Sequence, residues 1–312
     1  MNQALAQAGN ERSDPDLSRA CKVSAPQARL LCATDLSTRS RYALHRAALL
    51  ADRFDAQLVL LHVTEPDGMI AGPPHAREWI AQQIASFGSP TSHQPRIELR
   101  AGDHAQSIAT AAKEWQADLI IVGSRQARSP GPLIGTTTER IAELAGVPVL
   151  IANRDPRERY GAVLMAAEAS GAFIRIARIA SRFGFLASES VCVVHGFESP
   201  YRGPLYAQGF DVRSAKRNIE EWEKAAGARL LRKLAGAGVP GSRYRLVFQQ
   251  AHPIRVIQRV VRGIQPDLLI VGTKDRTALS RVIRGSAAND VLRRMERDIL
   301  VAPPDIEAVG AL

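Results

Sequence analysis

The apolar positions of this chain fall into two kinds of block. One kind is a short, nearly continuous run, as in Ala28-Arg-Leu-Leu-Cys-Ala-Thr-Asp35 and Gln57-Leu-Val-Leu-Leu-His-Val63. Such runs predict strands buried on both faces. The other kind repeats at helical spacing, as at Ala43, Leu44, Ala47, Ala48 and Ala51 within 39–54. Ser37 or Thr38 is the expected cap of that helix. Residues 65–74 read as a loop and 75–86 as a helix. Arg96-Ile-Glu-Leu-Arg100 alternates like a strand with one wetter face. A helix over 104–115 follows, with Asp103 as its cap. Then come the strand Asp118-Leu-Ile-Ile-Val-Gly-Ser124, a helix over 137–144, and the strand Val147-Pro-Val-Leu-Ile-Ala152. Strand and helix alternate with short connections, which predicts a parallel sheet clad in helices on both faces with right-handed crossovers.

The pattern then repeats. Ala162-Val-Leu-Met-Ala-Ala-Glu168 mirrors the first strand and its terminal acid, and Ser190-Val-Cys-Val-Val-His-Gly196 mirrors the second. Helices are expected over 174–183, over 212–236 with a weak point at Gly227, and over 253–263 with Pro253 in the first turn. Tyr244-Arg-Leu-Val-Phe248 and Asp267-Leu-Leu-Ile-Val-Gly-Thr273 are strands. A helix from about 287 and the strand Asp298-Ile-Leu-Val-Ala302 close the unit. Asp35 to Glu168 and His62 to His195 share a spacing of 133 residues, whereas Gly123 to Gly272 is 149 and Gly135 to Gly285 is 150. Constant spacing on either side of one insertion marks an internal repeat. The long helix before Gly241 holds the insertion. The expected organisation is a mobile N-terminal tail over 1–26, a first domain over 27–153, a charged proline-bearing linker over 154–160, a second domain over 161–304, and a tail over 305–312.

Each fourth strand ends in glycine, Gly123 or Gly272. A polar loop follows, and a second glycine, Gly135 or Gly285, opens a helical pattern through Thr136-Thr137 or Ser286. Glycine lets backbone N–H groups approach an anion, and a helix N-terminus favours one. Arg125 and Arg128 lie in the first loop; Lys274, Asp275 and Arg276 lie in the second.

Ala33-Thr-Asp35-Leu-Ser37, Leu61-His-Val63, Gly123-Ser124, Gly135-Thr136 and Val147-Pro-Val-Leu-Ile together resemble a universal stress protein domain. The second unit resembles a divergent copy, so the chain resembles a tandem universal stress protein. The resemblance implies an α/β fold of two doubly wound parallel five-stranded sheets, each of order 3-2-1-4-5, like the adenine-nucleotide α-hydrolases. It implies a pseudo-dimer paired through the last strands, with a homodimer of chains as a further assembly. It also implies a crevice at the carboxyl ends of the first and fourth strands. There the family's ATP pattern reads glycine, two residues, glycine, nine residues, glycine, then serine or threonine. In the first unit the expected nucleotide contacts are Thr34, Asp35, Val63, Gly123, Arg125, Gly135, Thr136 and Thr137. In the second, weaker unit they are Glu168, Gly272, Lys274, Gly285 and Ser286. The first loop departs from the pattern at Gln126, with Pro130 and Pro132 beyond it. The second has Asp275 where a phosphate would lie, and Coulomb repulsion opposes that. ATP, with magnesium as its counter-ion, is the implied ligand; another small anion in the same crevice is the alternative.

Charge adds a second theme. The net charge is +10, and it is uneven: residues 1–159 hold 18 Lys+Arg against 17 Asp+Glu, the remainder 23 against 14. A basic half suits an anionic partner, yet aromatics are only 5% of residues, and no nucleic-acid motif accompanies the arginines. Nucleic acid is therefore not the expected partner. No apolar run reaches the roughly 18 residues of a membrane span. Cys21, Cys32 and Cys192 have no metal or redox spacing, which fits a reducing, cytoplasmic setting. His62 and His195 read as core-edge histidines, and Trp79, Trp115 and Trp222 as packing residues. Ser124 and Thr273 lack the surroundings of a nucleophile elbow. No catalytic or metal-ligating set stands out. The expected function is a non-catalytic stress-response module. The alternatives are a slow nucleotide hydrolase, or an adaptor that binds nucleic acid, another anion or a protein through the basic half.

Overall fold

Leucine, isoleucine and valine fill the strand blocks because a strand covered on both faces has no polar side to keep. In the computed structural model these blocks become β1 (Arg29–Thr34), β2 (Gln57–Thr64), β3 (Arg96–Ala101), β4 (Leu119–Gly123) and β5 (Val149–Ala152). The second set is β6 (Ala162–Ala166), β7 (Ser190–Phe197), β8 (Tyr244–Gln250), β9 (Leu268–Gly272) and β10 (Asp298–Ala302). Between them run α1 (Ser40–Arg53), α2 (Ala76–Ser86), α3 (His104–Glu114), α4 (Thr136–Ala145), α5 (Gly171–Arg182), α6 (Val212–Gly236) and α7 (Pro253–Ile264). The structure describes residues 27–64, 75–86, 94–123, 136–156, 159–166, 171–197, 212–236, 244–251, 253–272 and 297–302. The expected tails, the 65–74 loop and the helix from about 287 lie outside these residues.

The strand order is β3-β2-β1-β4-β5-β10-β9-β6-β7-β8. Each half has the order 3-2-1-4-5, and the two five-stranded sheets hydrogen-bond edge to edge into one. Within each half the pairing is parallel; β5 meets β10 antiparallel, with Leu150 opposite Leu300. Ala33 pairs with Val122 in the first half, and Ala166 with Val271 in the second. These partners are related by the spacings of 133 and 149 read from the sequence.

Successive side chains on each strand point to opposite faces, and two apolar layers result. One contains Leu30, Leu60, Ile121, Leu150, Met165 and Leu300, packed by α1, α2, α5 and α6. The other contains Leu31, Leu61, Ile120, Ile151, Leu269 and Ile299, packed by α3, α4 and α7. Both layers run unbroken from one domain to the other.

Several local expectations need correction. The residue before α1 is Arg39, which makes no side-chain cap. Ser37 acts from two positions further back, its Oγ accepting the Ser40 N–H at 3.3 Å. Asp103 caps α3 as expected, accepting the Gln106 N–H at 2.9 Å. Helix α6 runs unbroken through Gly227, which is buried. Trp79 packs on the core, but Trp222 is 41% exposed.

Sequence patterning did not anticipate the polar side of the domain junction. Arg46 of α1 is 2% exposed and Asp298 of β10 is fully buried, and they pair at 3.2 Å. Asp298 also accepts the Tyr160 hydroxyl at 2.6 Å and the Asn153 N–H at 2.9 Å. The Arg46 guanidinium lies over the Tyr160 ring, 4.3 Å from its centroid. Burial first, and then the Asp298 charge, push the Tyr160 hydroxyl well above its ordinary pKa, so it stays protonated and donates. At the amino ends of β4 and β9 two aspartates play matching parts. Asp118 accepts the Arg29 N–H at 2.8 Å and pairs with Arg182 of α5. Asp267 accepts the Gly161 and Ala162 N–H groups and pairs with Arg154 at 2.8 Å. Each carboxylate thus ties its own sheet to an arginine from the other side of the junction.

Two predictions follow from the junction. Removing one member of a buried ion pair strands the other, at a cost of about 3–5 kcal/mol. Arg46→Met should cost that much in urea unfolding, and with Asp298→Asn in a double-mutant cycle the losses should be non-additive; additive losses under about 1 kcal/mol would count against the pair. For Asp267, partial burial raises the pKa, but the two N–H bonds and Arg154 outweigh it and the net shift is downward. A lowered folded pKa adds stability above the unfolded value of about 3.9, and that stability is lost as pH falls through the folded value. The stability gap between the native chain and Asp267→Asn, measured by chemical denaturation, should therefore be widest near neutral pH and shrink in acid.

Candidate functional site

The first domain changes winding direction between β1 and β4. These strands are neighbours, yet α1 packs on one face of the sheet and α4 on the other. Among the described residues no helix covers the gap between their carboxyl ends, and this is where open α/β sheets hold ligands. Ala33 and Val122 are partners, so Thr34 and Gly123 come next on the adjacent strands. Asp35 follows directly. This register puts Asp35 and Gly123 at the carboxyl ends of adjacent strands.

The turn that carries Asp35 is tightly bonded. The Thr34 hydroxyl donates to Ser40 Oγ at 2.8 Å and accepts the Leu36 N–H at 3.1 Å. Ser40 Oγ in turn donates to the Ser37 carbonyl at 2.8 Å. Leu36 takes a left-handed φ of 60°, which lets the chain reverse into α1. His62 Nδ1 lies 2.8 Å from the Thr34 carbonyl, the backbone bond expected of a core-edge histidine. The Thr34 side chain is therefore committed to the turn. Asp35 is exposed, and its Oδ1 accepts the Ser37 N–H at 2.9 Å.

Gly123 abuts the start of α1. A Cβ there would stand 3.0 Å from Ser40 Cα and 3.2 Å from the Arg39 carbonyl oxygen, both backbone atoms. Glycine is needed at that point for packing alone. Val63 is buried beside Ala33 in the layer beneath the crevice. Thr136 opens α4 and Thr137 is exposed in its first turn. Arg140, one turn further along α4, pairs with Asp103 at 3.0 Å and ties α4 to the start of α3. The Gln106 N–H first, and then Arg140, draw the Asp103 carboxyl below its ordinary pKa.

Arg125 and Gly135 lie outside the described residues, as do Glu168, Lys274, Gly285 and Ser286 of the second unit. Gly272 ends β9, and Ala166 pairs with Val271, so β6 and β9 repeat the register of β1 and β4. His195, the counterpart of His62, packs edge-on against Phe248 at 5.8 Å. Ser40 and Arg140 escaped the sequence reading. Ser40 could have been found, because a serine three residues after Ser37 is a common local hydrogen-bonding pattern. Arg140 could not, because its partner is set by how two helices meet. Among the described residues no three His, Cys, Asp or Glu side chains stand together to hold a metal, and no helix is long and apolar enough to cross a membrane.

Comparison with known proteins agrees with this architecture. The sequence pattern of the universal stress protein family matches residues 28–153 and again 188–303. A universal stress protein of Mycolicibacterium smegmatis is 24% identical over 316 residues, covering 90% of this chain and 99% of that protein. A Pseudomonas aeruginosa structure described as a universal stress protein superposes with a TM-score of 0.63 at 20% identity, over 91% of this chain and 95% of that one. A universal stress protein from Archaeoglobus fulgidus gives 0.55 at 18% identity, over 89% and 97%. The chain belongs to the universal stress protein family and carries two of its domains in tandem.

Proposed function

We propose that the first domain, over 27–153, binds an adenine nucleotide in the β1–β4 crevice, and that the bound nucleotide acts as a conformational ligand of a non-catalytic cytoplasmic stress-response protein. The observation that carries this reading is the placement of Asp35. It stands exposed at the switch point, and among the described residues its only hydrogen bond is from the Ser37 N–H. Its second oxygen remains for a ribose hydroxyl. Thr136 and Thr137 open α4, the helix that follows β4, and its first N–H groups, without helical partners, favour phosphate. Arg125 and Gly135 would complete the phosphate end and Val63 the floor, with magnesium carried in by the nucleotide. The second domain, over 161–304, would bind more weakly through Glu168, Gly272, Lys274, Gly285 and Ser286, because Asp275 opposes phosphate. The buried free thiols Cys32 and Cys192 suit a reducing compartment.

Calorimetric titration of the whole chain with ATP and magnesium tests this. Asp35→Ala removes a charge-assisted hydrogen bond, so binding should weaken roughly ten- to hundredfold. Equal affinity in the variant, or no heat at millimolar ATP, would remove the nucleotide. Steady magnesium-dependent ATP turnover that is lost in Asp35→Ala would replace this reading with the hydrolase.

One observation favours a second reading, an adaptor for polyanions. Arg255, Arg259 and Arg262 are exposed at i, i+4 and i+7 along α7, so they form one basic stripe. Binding to a nucleic acid or other polyanion through this stripe should fall steeply with added salt. Salt-insensitive binding, measured by fluorescence anisotropy, would exclude it.

A further inference from the structure

At the end of α1 remote from Asp35 the two domains leave an open cleft. Arg46 and Arg53 come from α1, Arg159 and Tyr160 from the segment between the domains, and Gly184 and Ser188 from the turn after α5. With its 14 residues, α1 holds this cleft about 20 Å from the crevice. Among the described residues no carboxylate lines the cleft. Arg46, at its floor, is balanced by Asp298 at 3.2 Å. Arg53 and Arg159, at its rim, form no ion pair among the described residues.

We propose that this cleft binds a phosphate-type oxyanion, gripped between the Arg53 and Arg159 guanidiniums across the domain junction. Two like charges facing one cleft repel, and a dianion between them turns that repulsion into attraction. The strain is visible in Arg53, whose pKa is lowered first by desolvation and then by the charge on Arg159. The second domain holds Arg53 in place. Its guanidinium lies over the Phe54 ring, 5.4 Å from the centroid, and Phe54 meets Phe183 edge-on at 6.1 Å. Gly184 has a φ of +62°, and a Cβ there would come within 3.1 Å of Arg53 Nη2. The bare backbone leaves room for the guanidinium. A planar fork fixed in this way suits the paired oxygens of a phosphate group. Asp52, Asp55 and Glu189 are neighbours in sequence but do not line the cleft. The cleft is formed by both domains, so an oxyanion there binds only the folded junction and stabilises it by mass action.

The test is thermal unfolding of the whole chain in rising inorganic phosphate, with chloride holding ionic strength constant. A parallel series uses glycerol 3-phosphate. The expected result is a saturating rise in Tm with at least one of the two probes. The tighter probe identifies the source as free phosphate or an organic phosphate ester. In the Arg53→Ala/Arg159→Ala double variant the saturating part should vanish, leaving only the gradual, non-saturating rise that excluded salts give any protein. Arg53→Lys keeps the charge without the fork and should weaken binding about tenfold. A rise that never saturates, or one unchanged in the double variant, would overturn the proposal. ATP affinity at the Asp35 crevice should be the same in the double variant, so either site can fail without the other.

Discussion

The meeting of β5 with β10 is the constraint on which the rest depends. A five-stranded sheet with an apolar last strand exposes a row of unpaired N–H and C=O groups and invites aggregation. Here each domain covers the other's edge. Leu150 faces Leu300, with Val149 opposite Val301 and Ile151 opposite Ile299. A spacing of 150 residues maps Leu150 onto Leu300, so the joint is self-complementary about that pair, as the interface of a two-fold dimer would be. Tethering the halves in one chain makes the pairing intramolecular, and it no longer depends on protein concentration. Among the described residues the outer edges, β3 and β8, pair with no further strand. On β3 the charges of Arg96, Glu98 and Arg100 break up the apolar pattern, and Arg100 pairs with Glu98 and Glu114.

Duplication followed by divergence explains which polar contacts occur twice and which once. The aspartates at the feet of β4 and β9 are repeated, and each takes the first N–H groups of its neighbouring strand together with an arginine from across the junction. The Arg46–Asp298 pair occurs once. The same spacings place Ile179 and Pro148 at the mirrored positions, and Ile179 packs in the apolar layer beside α1. Apolar residues therefore stand at these positions on one side of the pseudo-axis and a buried ion pair on the other. A buried ion pair adds little over well-packed hydrocarbon but penalises any arrangement that separates the charges. Its effect here is to favour one docking of the two domains over near-symmetric alternatives. We ascribe the fixed register of the joint to this asymmetry together with the leucine pair.

What the sequence made legible follows from that history. The strand pattern and the spacings of 133 and 149 were visible because both copies keep them, and the pairings of Ala33 with Val122 and Ala166 with Val271 repeat them in space. Asp118 and Asp267 were visible as a repeated residue, but not their arginine partners, which come from α5 of the second domain and from the linker. Arg46 was hidden altogether. One of three arginines in an amphipathic helix, Arg46 reads as a surface residue, and its carboxylate lies 252 positions away. The run Asn153-Arg-Asp-Pro156 looked like a loose connector, since charge and proline are the usual marks of one. Instead the Asn153 N–H bonds Asp298, and the Arg154 and Asp155 side chains pair with Asp267 and His45.

The same distinction separates packing from chemistry at the crevice. Gly123 belongs to the family's nucleotide pattern, but in this chain the backbone of α1 already demands a glycine there, whether or not a ligand comes. Its presence carries little information about nucleotide. Asp35 is different. The one bond it makes among the described residues, from the Ser37 N–H, could be accepted as well by asparagine or serine, both common in such turns. The fold asks for a hydrogen-bond acceptor at that position and does not require the charge. An exposed negative charge at the switch point, surplus to the needs of the turn, is the feature of this crevice that a ligand explains better than packing does.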